Sequence, residues 1–118
     1  MKRYYFLLGA IVAFGGIGLW LNHVLRPETP QESVYRLIGE AGLKHDLDDS
    51  DTARLCQLIR SDNPAIVRWA LGAAMDLTKA SNEEKAAVCA AARTVAWEVG
   101  DPYDLEYASQ RVIRRLGK

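Results

Sequence analysis

An uncharged apolar run close to the start of the chain constrains it most. Tyr4 to Leu21 reads YYFLLGAIVAFGGIGLWL, 18 residues without a charge, preceded by Lys2-Arg3 and followed by Arg26-Pro27. A helix of about 20 apolar residues, each adding about 1.5 Å, crosses a hydrocarbon core. Tyr4, Tyr5 and Trp20 stand at the two ends of the run, where amphipathic rings favour the membrane interface. Residues 1–26 are therefore expected to form a signal-anchor helix, with residues 4–25 in the membrane. Lys2, Arg3 and the terminal amine outweigh Arg26, so the positive-inside rule puts the N-terminus in the cytoplasm and the rest in the periplasm or its equivalent.

The alternative is a cleaved signal peptide. Phe6 to Phe14 would be its apolar stretch and Gly16-Ile17-Gly18 its small-x-small site, releasing a secreted or periplasmic helical binding domain. Leu19-Trp20-Leu21 argues against this, because the apolar run continues where a polar segment should begin. Gly9 and Ala13 form a small-xxx-small pair, but glycine is ordinary in spanning helices and the pair adds nothing by itself.

Charge is divided unevenly along the chain. Residues 1–26 hold three basic residues and no acids, so residues 27–118 carry 12 basic residues against all 15 acids. A mildly acidic domain excludes nucleic acid as a partner, since that demands a basic surface. Two cysteines, Cys56 and Cys89, are too few for a disulfide scaffold. They are the candidate disulfide pair in an oxidising compartment, and otherwise two small buried apolar residues.

Residues 27–30 form a stiff linker with two prolines. The fold class expected beyond it, over residues 31–118, is all-α with five helices. The first runs from about Pro30 to Ala41, with Val34, Leu37, Ile38 and Ala41 inward and Gly42 as its stop. The second runs from about Asp51 to Ser61, capped by Ser50 or Asp49, with Leu55, Leu58 and Ile59 inward. The third starts at Pro64 and carries Ile66, Val67, Ala70, Leu71, Ala74 and Leu77 on one stripe. The fourth starts after Ser81 or Asn82 and presents Val88, Ala91, Ala92, Val95, Ala96 and Val99. Gly100-Asp101-Pro102 breaks it, and the fifth runs from Tyr103 to Leu116. Its closing Arg111, Arg114, Arg115 and Lys118 suit a helix C-terminus. No segment alternates as a strand does.

The stretch from Leu55 through Leu58-Ile59, Ser61-Asp62-Asn63-Pro64, Val67-Arg68, Ala70 and Ala74 to Leu77 resembles a HEAT repeat. A second copy lies about 39 residues on, with Asp101, Leu105, Ile113 and Leu116 echoing Asp62, Ile66, Ala74 and Leu77, near the period of that family. It has Glu106-Tyr107 where the first copy has Val67-Arg68. The resemblance implies a stack of α-α hairpins, with the first helix as a cap and an exposed surface for a protein partner. It implies nothing catalytic.

The remaining chemistry-bearing residues do not form a catalytic pattern. Asp46, Asp48 and Ser50 fit alternate ligands of a calcium loop, but Asp51 stands where that loop needs Gly and Gln57 where it needs Glu. The acidic turn is read as solvated, favouring the start of the second helix, and a small enzyme or lyase built on it is a lesser reading. His23 and His45 are too isolated for zinc. Arg68 is expected in a polar ladder with Asp62 or Asp76. Trp69 and Trp97 are expected in the core, with Trp69 the better candidate for partial exposure. The resulting expectation is a single-pass membrane protein that binds a membrane or envelope protein without catalysis, cofactor, metal or small-molecule substrate. Arg68, Trp69, Glu106 and Tyr107 are its candidate contact residues.

Overall fold

A computed structural model describes residues 27–117 of the chain. The expected membrane span and Lys118 lie outside the described residues, and no helix among the described residues is long and apolar enough to cross a membrane. The described residues form five helices and no strand: α1 (Pro30–Lys44), α2 (Asp49–Ile59), α3 (Pro64–Ala74), α4 (Asn82–Arg93) and α5 (Leu105–Leu116). They lie in two layers. α1, α3 and α5 are neighbours in one, α2 and α4 in the other, and α3 also packs across the layers on α2.

Local chemistry sets the starts. Thr29, Asp48, Asn63 and Ser81 each accept a backbone N–H of the first turn, and Pro30 and Pro64 open α1 and α3 without losing a hydrogen bond. Asp48, one residue earlier than expected, caps α2; its Oδ1 takes the Asp51 N–H at 2.7 Å.

Two ends differ from the sequence reading. α1 runs through Gly42 and stops at His45, which takes a left-handed backbone with φ 57°. Tertiary bonds hold that conformation. The His45 carbonyl accepts from Lys79 N, and its ring Nδ1 lies 3.2 Å from the Asp76 carbonyl oxygen. α4 stops at Arg93 rather than near Val99. Thr94 turns its hydroxyl onto the Ala91 carbonyl at 2.6 Å, and the N–H groups of Thr94 and Val95 close tight i−3 bonds. Val95 is still buried, but Ala96, Trp97 and Val99 fall in an exposed loop, so Trp97 is not a core residue.

The core is one continuous cluster drawn from both layers, with Leu37, Leu55, Ile59, Leu71, Leu77, Val88 and Val112 fully buried. Alanines 70, 73 and 74 on α3 and 91 and 92 on α4 are at most 1% exposed, which brings helix backbones close. Cys56 and Cys89, the candidate disulfide pair, are buried free thiols on α2 and α4, and burial raises the pKa of both.

A polar staple joins the linker to the first layer. The Glu28 carboxylate accepts from the buried Ser33 hydroxyl at 2.6 Å and from Arg36 Nε at 2.8 Å. Arg54 of α2 reaches the Glu28 carbonyl and the Ser33 hydroxyl, and Arg36 also binds Asp51 at 2.8 Å. Arg36, helped by Ser33, holds the Glu28 pKa down at about 2. Residues 28 and 29 are thus fixed against α1 and α2.

Leu71→Ala should cost about 2–5 kcal/mol in urea unfolding, whereas removing the neighbouring half-exposed Trp69 should cost far less. The staple has a pH signature. A lowered carboxylate pKa adds stability above the unfolded value of 4.5 and loses it as the pH falls toward 2. Glu28→Gln should therefore lower the melting temperature at neutral pH, and the gap should close progressively across that acid window.

Candidate functional site

Packing on α1, α2 and α5 covers most of α3. Ile66, Val67, Ala70, Leu71, Ala73 and Ala74 face inward. Arg68, Trp69 and Gly72 remain exposed on the outer side of the α1–α3–α5 layer. At helical spacing these three positions, continued by Met75, run in one strip along the helix.

The facing wall comes from α5 and the turn before it. Asp101 builds that turn: its Oδ1 accepts from Tyr103 N at 2.9 Å and its Oδ2 from Leu105 N at 3.2 Å. The chain then passes through Asp104, at φ 54°, into α5. Tyr103 is thereby set opposite Trp69. A cleft of about 520 Å³ opens between them, lined by Ile38, Arg68, Trp69, Gly72, Pro102 and Tyr103. Further along the same two helices, Met75, Tyr107, Arg111, Arg114 and Arg115 line a shallower depression of about 400 Å³. Gly72 and Met75 are three residues apart and Tyr103 and Tyr107 four, so the two hollows follow one another along α3 and α5, and together they are called the α3–α5 groove.

Aromatic contacts stiffen its walls. The Trp69 ring packs on Tyr35 of α1 with centroids 6.4 Å apart and planes at 57°, a tilted arrangement that suits the ring quadrupoles. The Arg111 guanidinium lies 5.4 Å from the Tyr107 ring centroid, within cation–π range. Trp69 and Tyr107 still leave 56% and 53% of their surface to solvent, far more than a core aromatic does.

The groove is positive, and its arginines lack ion-pair partners among the described residues. Arg36 forms ion pairs with Glu28, Glu40 and Asp51. Arg68, Arg111, Arg114 and Arg115 form none with any described residue; Arg114 reaches only the Gln110 carbonyl, at 3.4 Å. The expected ladder from Arg68 to Asp62 or Asp76 is not formed, because Arg68 points outward beside Trp69 while Asp76 lies toward Gly42 of α1.

Of the four contact residues expected from sequence, the fold brings Arg68 and Trp69 into the cleft and Tyr107 into the depression beside it. Glu106 is exposed but lines neither. Sequence reasoning missed Tyr103 and Gly72, and it read Arg111, Arg114 and Arg115 as helix-end charges rather than as lining one depression with Met75 and Tyr107. A tyrosine after Asp-Pro and a glycine between Trp69 and Met75 were legible as residues, but which helices become neighbours was not.

A second, acidic region lies at the other edge. Asp46 and Asp48 serve the backbone there, Asp46 Oδ1 accepting from Leu47 N at 2.8 Å and Asp48 capping α2. Glu84 Oε2 is buried with no donor in reach, and the Asp46 carboxyl is its neighbour. Burial first, then Asp46 and Asp49, raise the Glu84 pKa. Among the described residues no group of three or more His, Cys, Asp or Glu side chains is placed to hold a metal ion.

The chain matches no protein family, no curated protein and no solved structure.

A carboxyl with a raised pKa favours the folded state below its unfolded value of 4.5 and loses that advantage as the pH rises through the folded value. Glu84→Gln, which gives Asp46 a permanent donor, should raise the melting temperature at pH 7. The gain should vanish near pH 4, as a series of thermal melts would read directly.

Proposed function

We propose that this protein is a membrane-tethered helical interaction module. Its groove-bearing domain lies on the non-cytoplasmic side and captures another protein without catalysis. The observation that carries this reading is the α3–α5 groove. Tryptophan, tyrosine and arginine are the side chains that contribute most at protein interfaces, and here they converge where most of α3 is buried.

Two further features support it. The apolar run from Tyr4 to Leu21, with Lys2-Arg3 before it, has the length and flanks of a signal anchor. The HEAT resemblance implies paired helices in two layers, with α2–α3 and α4–α5 as the two hairpins and α1 as the cap, and α1, α3 and α5 do share a layer. Glu28, pinned to α1 and α2 two residues after Arg26, leaves little slack between membrane and domain. Short tethering raises the effective concentration of the groove toward partners in the same membrane.

The test is in-cell cross-linking of the full-length protein with a photoreactive residue in place of Trp69 or Tyr107. A discrete adduct with one other membrane or envelope protein is the expected result. Silence at both positions, with a control position on the α2–α4 layer equally silent or more reactive, would end the reading. The mass of the membrane-extracted protein should include residues 1–26.

A further inference from the structure

We infer that the α3–α5 groove receives an acidic peptide segment of a partner protein, anchored by one large apolar side chain seated over Gly72. The inference rests on the protein-binding reading above and states the chemistry of the partner.

The shape comes first. Gly72 lies within α3, where glycine is a poor choice for helix formation. Close packing does not require it: a Cβ built there would meet nothing within 4 Å, and its backbone is not left-handed. The missing side chain instead leaves depth between Trp69 and Tyr103. Ile38 and Pro102 line the same space, so its walls are mostly apolar and the group that fills it must be apolar too.

Charge then selects what surrounds that group. Arg68 borders the cleft, and Arg111, Arg114 and Arg115 follow it along α5, all without an ion-pair partner among the described residues. The one acid on α5 is Glu106 in its first turn, and it lines neither part of the groove. Four unanswered guanidinium groups favour carboxylates, which they bind in paired hydrogen bonds. From Tyr103 to Arg115 the groove spans on the order of 15 Å, enough for about five extended residues. A flat anionic membrane fits less well, because bilayer-binding surfaces project their apolar side chains whereas this site recesses its cavity between helices.

The experiment selects a random dodecapeptide library against the full-length protein in detergent micelles and measures the winners by fluorescence anisotropy. Selected peptides should be rich in Asp and Glu around one Leu, Phe or Trp, and replacing that residue by Ser should weaken binding about tenfold or more. Gly72→Leu should weaken it at least as much while leaving the unfolding midpoint unchanged or higher. Replacing Arg111, Arg114 and Arg115 by Gln should weaken binding and flatten its salt dependence. Selection of non-acidic peptides, or of none, overturns the inference, as does equal binding to a folded Gly72→Leu protein. Vesicles containing phosphatidylglycerol that bind through these arginines, with no peptide selected, would replace it with a lipid surface. A dimer lost on Arg replacement would replace it with a second copy of the chain. If Trp69 still cross-links to a partner in cells while peptide selection fails, the inference falls and the protein-binding reading stands; if neither works, both fall.

Discussion

The burial of α3 is the constraint on which the rest of the domain depends. Its sequence has one charge, Arg68, and three alanines where neighbours approach most closely. A helix that is apolar around most of its circumference must be covered on most sides, and α1, α2 and α5 do this. Small side chains at 70, 73 and 74 let those helices come near enough to exclude water, and Leu71 fills the centre. What is left uncovered beyond the first turn is the strip of Arg68, Trp69 and Gly72. The groove is thus a by-product of the same packing that stabilises the domain.

Arginine serves two different purposes on the two sides of the first layer. Near the linker, Arg36 and Arg54 are each held by several oxygens, and their donors are spent on fastening residues 28–33 to α1 and α2. Along the groove the arginines are held by little beyond a tyrosine ring and a distant backbone carbonyl. A guanidinium left with open donors beside exposed aromatics is ready to bind, and the nearby acids Asp76, Asp101, Asp104 and Glu106 form no ion pair with it among the described residues. Asp46, Asp48, Asp49 and Glu84 gather around the start of α2 and α4, where Asp48 caps a helix and burial and neighbouring carboxyls raise the Glu84 pKa. This separation of sign gives a mildly acidic domain a positive groove, which its net charge conceals.

Much of the helical layout was legible along the chain, because the signals involved are local. Thr29-Pro30, Asn63-Pro64 and Ser81 mark starts through the hydrogen bonds their side chains offer the next residues, and the apolar spacing names most of the buried residues on α2 and α3 but not Thr52 or Ala73. The ends were harder. His45 ends α1 in a left-handed turn that Asp76 and Lys79 bind from a distant part of the chain, a contact that the glycine at 42 does not announce. Thr94 ends α4 with its own hydroxyl, and the apolar residues at 95 to 99 masked that signal.

The order of elements, the apolar run at residues 4–21 and the identity of the core follow from composition and period, since burial of apolar surface is the dominant force and its pattern is written residue by residue. Arg68, Trp69 and Tyr107 could be singled out from the repeat-like spacing alone. Their joining into one groove with Tyr103, Gly72 and the arginines of α5 could not, because positions 72 and 103 are far apart in the chain and become opposite only once α3 and α5 lie side by side. Nor does any sequence rule say which arginines will find a carboxylate. That depends on the distances the folded helices impose, which leave Arg36 amid carboxylates and Arg111 beside a tyrosine ring.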